Sequence, residues 1–288
     1  MIYLLKSFRS KLKIIIKIVL SQITIFLNFL KILIYLLHRK PFGFGYDEYK
    51  WFKIKKKINN KDQTIEDLDA LGIDERIVEY KWIINELSEK RGNLLDAGST
   101  LNFEPIIKKL KKFNIIIQTL YPETNNFLNH SVNYVYSDLK NNIFREDYFD
   151  FITCISTLEH VGFDNNHYNY YNNNFKNLSN NNPKDYLKVI KNFKYILKKG
   201  GDLYLTLPFG KKQLFNHLQQ FDSNEINILV DTFLPESISK TFYIYKNFGW
   251  TECNEVDCKE IKFRTQQEKN PTDKAASARS VIFLKMRK

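Results

Sequence analysis

The chain has 288 residues, 43% hydrophobic and 26% charged, enough to close an ordered α/β core and too apolar for wholesale disorder. Its three cysteines, Cys154, Cys253 and Cys258, exclude a disulfide framework and a cysteine-rich zinc module, and a reducing cytoplasm is the simplest home. The net charge of +12 is carried wholly by residues 1–61, with fourteen basic and two acidic residues, while 62–288 is neutral. That distribution argues against nucleic acid as a partner and for a membrane surface with anionic lipids.

Residues 2–37 are dominated by Ile, Leu, Phe and Val. Lys6, Ser10, Lys13, Lys17, Ser21, Thr24, Asn28 and Lys31 interrupt them every 3.6 residues on average, the period of an α-helix. The expectation is one long amphipathic helix, associated with a membrane, with a narrow polar stripe and a wide apolar face. The longest uncharged run, Ile18–Leu30, has 13 residues, short of the roughly 20 that a span needs. An in-plane helix is therefore read first. A tilted span with Lys17 and Lys31 snorkelling, and a helix packed on protein, stay open. No small-residue cleavage site follows the apolar run, so a secretory signal fits poorly.

His38–Gly45 (HRKPFGFG) breaks the helix at Pro41 and two glycines. Residues 46–61 are basic and aromatic, as at an interface or in a solvated helix. A helix is predicted from Asp74 to Lys90, with Ile77, Val78, Trp82, Ile83, Ile84 and Leu87 as its apolar face. From Asn93 strands and helices alternate, which predicts a mainly parallel sheet covered on both faces. Strands are expected near 93–96, 113–119, 133–136, 149–156, 202–207, 240–247 and 279–286, and helices near 103–112, 185–198 and 223–231. Gly249–Ser277 reads as a loop, so the last two strands are expected to pair antiparallel.

Four segments carry chemistry. In LLDAGSTLNFEP an apolar strand closes on Asp96, then Gly98, then a turn into a helix. Glycine lets backbone approach a ligand, and a helix N-terminus offers free N–H groups. In YVYSDLKNNIF, Asp138 follows a short strand. In DYFDFITCISTLEHVGFDNN, Ser156–Val161 stand at the C-terminal end of a buried strand, where ligands bind in open α/β sheets. In YILKKGGDLYLTLPFG, Gly200-Gly201 reverse the chain before a strand that ends on Pro208-Phe209-Gly210.

In this order and spacing the four resemble the class I S-adenosylmethionine-dependent methyltransferases of the LEHV type, over about 90–288. The resemblance implies a Rossmann-like, seven-stranded sheet and S-adenosyl-L-methionine as cofactor. It implies cofactor contacts at Asp96, Gly98, Ser99 and Thr100 for the methionine end, Thr119 at the ribose, Asp138 and Leu139 at the adenine, and Ser156 from the fourth strand. CISTLEHVGFDNN, TLPFGK, QQFD and AASARSVIFLK further resemble a bacterial subgroup associated with surface glycans, which implies a small-molecule or lipid-linked saccharide acceptor. The glycine motif departs from the family pattern: its three positions read Gly98, Thr100 and Asn102. The second strand, IIIQTLYPE, has Gln118 or Thr119 where the ribose-binding acid is expected.

A hydroxyl acceptor needs a general base near the methyl group. His160 is the best-placed candidate, with Glu159 to orient it or touch the cofactor and His217 as a second histidine. Asp164 and His167 with Glu159 make a weak metal set, and no metal is expected. Residues 165–182, rich in Asn and Tyr, suit sugar hydroxyls or are a compositional insertion. The reading divides the chain into a membrane-associated helix at 1–45, a basic linker and helical lead-in at 46–90, and a methyltransferase-like domain at 91–288. Its function is methyl transfer to a glycan or lipid-linked saccharide at the cytoplasmic membrane face. The alternative is a catalytically inactive scaffold of the same fold in a glycan assembly complex.

Overall fold

The computed structural model describes residues 2–38, 43–59, 70–123, 126–128, 131–163, 182–246, 249–264 and 278–288, and in the first helix the side chains at 12, 13 and 15–38. The chain opens with α1 (Ile2–His38), α2 (Tyr46–Asn59) and α3 (Arg76–Leu87). β1 (Gly92–Ala97), α4 (Glu104–Ile107), β2 (Phe113–Thr119), β3 (Val132–Tyr136) and β4 (Phe149–Ile155) follow. Then come α5 (Tyr186–Ile196), β5 (Leu197–Pro208), the small strands β6 (Gln213–Leu214) and β7 (Gln219–Gln220), and α6 (Ser223–Phe233). β8 (Ser237–Lys246), β9 (Gly249–Cys253), α7 (Glu255–Cys258) and β10 (Ser280–Arg287) complete the order.

The main sheet has eight strands in the order β3-β2-β1-β4-β5-β10-β8-β9. The pairs from β3 to β5 are parallel, and β10 is antiparallel to both β5 and β8. β8 therefore runs with the first five, which gives the expected mainly parallel sheet, with β8 and β10 paired antiparallel as expected. The eighth strand, β9, corrects the reading of 249–277 as loop. Trp250 within it is buried and donates through its indole N–H to the Ile73 carbonyl at 3.0 Å, so a short strand with one large anchor closes the edge. Two further elements also differ. The helix expected over 103–112 is a single turn, because Leu110 and Phe113 fold back into the core. β5 starts at Leu197 rather than 202, with Lys198–Gly201 bulged out where the register against β4 shifts.

Side-chain alternation sends each strand's residues to two cores. Leu95 and Ala97, Leu203, Leu205 and Leu207, and Ile282 and Leu284 pack with α5 and α6. Leu94, Tyr204, Val281 and Phe283 pack on the opposite face with Ile77, Val78 and Ile83 of α3 and Ile54 and Ile58 of α2. The segment 72–74 binds these parts together. Gly72 N–H donates to Tyr245 Oη at 2.7 Å, Asp74 N–H to Tyr46 Oη at 3.1 Å, and Lys50 pairs with Asp74 at 3.0 Å. α1 joins at its C-terminal end. Tyr35 is 2% exposed against Tyr46 and Tyr49, and Lys31 pairs with Glu48 at 2.6 Å.

Candidate active site

Alternation places Asp96, Thr153 and Thr206 on the α3 face of the sheet, at the C-terminal ends of β1, β4 and β5. These are polar residues on an otherwise apolar face, so burial requires partners. Asp96 Oδ2 accepts from Leu101 N–H at 2.8 Å, and Oδ1 from Thr153 Oγ1 at 3.3 Å. Burial pushes its carboxyl up to about 7, against those two donors. The carboxylate thus closes the loop after β1 on itself, in the manner of a cap.

Within that loop Gly98 (φ 106°) and Ser99 (φ 66°) are left-handed. A Cβ on Gly98 would lie within 2.8 Å of Thr157 Cβ and closer still to its Oγ1 and Cγ2. The glycine is required by the Thr157 side chain, which fills the space over it. Thr100 and Asn102 stand where the family pattern has glycine, and both turn into the protein. Thr100 Oγ1 donates to the Ile155 carbonyl at 2.8 Å, and Asn102 Oδ1 accepts from Tyr134 Oη at 2.8 Å. Neither side chain crowds the loop from outside.

At the end of β2, Gln118 is buried and its amide donates to the Asp138 carbonyl at 3.2 Å, while Thr119 is half-buried beside it. Asp138 Oδ1 accepts from Lys140 N–H at 2.9 Å, and Leu139 is buried in the α5 core. These four stand at the neighbouring ends of β2 and β3.

α3 brings a charged group that the sequence reading missed. Glu79 is fully buried. Its Oε1 accepts from Ser156 Oγ and Thr206 Oγ1, both at 2.5 Å, and its Oε2 pairs with Arg76 at 2.5 Å. Tyr80 Oη donates to the Thr100 carbonyl at 2.8 Å, which fastens α3 to the loop after β1. Arg76, Glu79 and Tyr80 share one helix face by their spacing of three and four. That polar stripe within an apolar helix was the available signal.

Glu159, on a single 3₁₀ turn after β4, is 4% exposed, and its Oε2 has no hydrogen-bond partner. Burial drives its carboxyl well above the usual range, with Glu79 and Glu75 adding to the rise and Arg76 opposing it. Glu75 reaches about 8, by burial first and then by the Asp74 and Glu79 carboxylates. One guanidinium therefore stands among several buried carboxylates.

His160 is not held by Glu159. Its Nδ1 lies 2.8 Å from the His217 carbonyl, and since a carbonyl only accepts, Nδ1 carries a proton. His217 sits in the bend between β6 and β7, its ring 6.3 Å from that of His160. Asp164 and His167, and most of 165–182, lie outside the described residues. Among those described, no group of three side chains is arranged to hold a metal ion.

S-adenosylmethionine carries a sulfonium and an ammonium. The residues present fit the sulfonium and ammonium, because Ser99 Oγ and Glu159 Oε2 are both buried without a partner and carboxylates outnumber cations around Glu159. At the ribose the chain offers an engaged amide and a hydroxyl in place of an acid.

No protein-family model and no curated protein sequence matches the chain. Among solved structures, it is similar to a Burkholderia thailandensis 1,6-didemethyltoxoflavin-N1-methyltransferase bound to S-adenosylhomocysteine (12% identity, 74% of this chain and 78% of that one, TM-score 0.46). It is also similar to a Thermotoga maritima SAM-dependent methyltransferase, described as a possible histamine N-methyltransferase (13% identity, 84% and 95%, TM-score 0.46). A third is the Bradyrhizobium japonicum N-methyltransferase NodS with S-adenosylhomocysteine (11% identity, 83% and 98%, TM-score 0.41). These similarities concern overall shape. The strand order is that of a Rossmann-like methyltransferase fold with a mainly parallel central sheet.

Proposed function

We propose that the chain is an S-adenosylmethionine-dependent methyltransferase that acts at the cytoplasmic face of a membrane on a glycan or lipid-linked saccharide. The observation that carries the reading is two buried polar atoms without a partner, Ser99 Oγ in the loop after β1 and Glu159 Oε2 on the turn after β4. The cofactor supplies a methyl group activated by its sulfonium. Ser99, the backbone of 98–100 and Glu159 would hold the cationic end. Thr119 would stand at the ribose, Asp138 and Leu139 at the adenine, and Ser156 beside them from β4. Asp96 fixes the loop through Leu101 rather than reaching outward. His160, its Nδ1 proton committed to the His217 carbonyl, would take the acceptor hydroxyl's proton at Nε2. Tyr80 and Glu79 hold α3 over the site and help to keep water out.

The second reading, an inactive scaffold of the same fold, is favoured by a specific observation. Thr157 fills the space over Gly98, and Ser156 is committed to Glu79. Calorimetric titration of the full chain in detergent with S-adenosylmethionine separates the two. Saturable heat below millimolar cofactor supports the enzyme. No heat at millimolar cofactor refutes it in favour of the scaffold.

A further inference from the structure

α1 exposes apolar side chains along most of its length. Ile15, Val19, Ile23, Phe26 and Leu30 are each 43–64% exposed, more contiguous apolar surface than a solvated helix normally carries. Ile15–His38 is long and apolar enough to cross a bilayer. Length alone therefore does not decide between crossing a bilayer and lying on one.

The direction of the polar stripe does. At about 100° per residue, Lys13, Lys17, Ser21, Thr24, Asn28 and Lys31 all point within about 40° of Tyr35. Tyr35 is the residue through which α1 docks on α2, and Lys31 is paired with Glu48 there. The polar stripe is thus the continuation of the docking face, and Phe26 points to the opposite side; Gln22 is the polar exception on that outer side. The Ser21 and Thr24 hydroxyls donate back to the Ile18 and Leu20 carbonyls, at 2.7 and 2.9 Å. Charge agrees. Lys6, Arg9, Lys11 and Lys13 precede the apolar stretch, and Arg39 and Lys40 follow it. A crossing helix would carry one of these cationic groups to the far side, against the preference of Lys and Arg for the cytoplasmic side. A helix in the plane keeps both on one anionic surface.

The site lies close by. Trp51 of α2 stacks on Phe103, at the end of the loop after β1, with centroids 4.2 Å apart, and Lys55 Nζ lies 5.8 Å from the same ring. α2 thus touches both α1, through Tyr46 and Tyr49, and that loop, through Trp51.

The geometry points to an anionic bilayer as the partner of α1, with the helix in the membrane plane, the domain seated on its polar side, and a lipid-borne acceptor presented to the loop after β1. The acceptor half rests on the methyl-transfer reading; the position of the helix does not.

The test uses the full chain and vesicles of phosphatidylcholine containing one-fifth phosphatidylglycerol. Phe26→Gln should weaken vesicle binding by about tenfold or more, as expected for one lost buried aromatic, and Thr24→Gln by less than about threefold. A tag on the amino terminus should be cleaved by protease added on the side of the domain. Equal loss in both variants, or a protected tag, overturns the in-plane helix in favour of a span. No vesicle binding by the wild type overturns it in favour of a protein partner. For the acceptor, radiolabelled methyl from S-adenosylmethionine should enter the organic phase of a membrane lipid extract. Label only in water-soluble saccharides, or none although the cofactor binds, overturns the lipid-borne acceptor. Failure of cofactor binding itself would instead refute the methyl-transfer reading and leave the vesicle result standing.

Discussion

Gly98→Ala separates two reasons for a glycine at the first turn. If Gly98 makes room for the cofactor, alanine should lower cofactor affinity and leave folding nearly intact. The structure assigns the space to Thr157 instead, so the cost should fall on stability. Three contributions add. A non-glycine residue at φ 106° is strained, by about 1–3 kcal/mol. The new Cβ would sit within 2.8 Å of Thr157 Cβ and nearer its branches, an overpacking of about 1–3 kcal/mol. Displacing Thr157 also breaks its 3.0 Å hydrogen bond to the Ile155 carbonyl, about 1 kcal/mol more. The sum is about 3–7 kcal/mol, a fall in melting temperature of at least about 6 °C for a domain of this size. Thr157→Gly removes the overlap but not the strain. The double variant should therefore be more stable than the sum of the single costs, by about 2–4 kcal/mol. Unfolding of the four proteins followed by tryptophan fluorescence, with cofactor titrations alongside, measures the cycle. Gly98→Ala with wild-type stability and a tenfold weaker cofactor would refute the assignment.

Asp96 is raised to about 7 in the folded chain, so its contribution to stability is full below about pH 4 and is lost as pH rises toward 7. The three-decade difference corresponds to about 4 kcal/mol. Asp96→Asn keeps an acceptor for Leu101 and should be more stable than wild type at pH 8, by about 2–4 kcal/mol, and equal to it near pH 3; wild-type stability that rises from pH 5 to 8 would sink this. Glu79→Ala strips Ser156, Thr206 and Arg76 of their shared acceptor and should cost about 3–5 kcal/mol by denaturant unfolding; a cost below 1 kcal/mol would show that the group relaxes. His160→Ala should lower the methyl-transfer rate by about 10²–10⁴ at unchanged cofactor affinity; an unaltered rate excludes His160 as the base. Cys253 Sγ lies 3.1 Å from Cys258 Sγ, so diamide should reduce the titratable thiols from three to one; three surviving thiols would show the pair cannot close.

The sequence by itself determined the local elements and the strand ends. The 3.6-residue stripe gave α1 its length, because helix geometry fixes which residues share a face. Alternating apolar segments with Gly98 and Asp96, Asp138, and Glu159-His160 at strand ends placed the candidate site on one edge of a parallel sheet, because such strands must return through crossovers that leave their C-terminal ends open. Contacts distant in sequence were decided only in the tertiary structure. Thr157 comes to fill the space over Gly98 because β1 and β4 are neighbours, and His160 takes its orientation from a carbonyl 57 residues later. Arg76, Glu79 and Tyr80 stand in an ordinary amphipathic helix. They become part of the site only because α3 packs on that face of the sheet, where Glu79 accepts from the Ser156 and Thr206 hydroxyls and Tyr80 donates to the Thr100 carbonyl. Trp250 likewise turned a polar stretch into an edge strand, through one buried side chain whose partner, Ile73, lies 177 residues away.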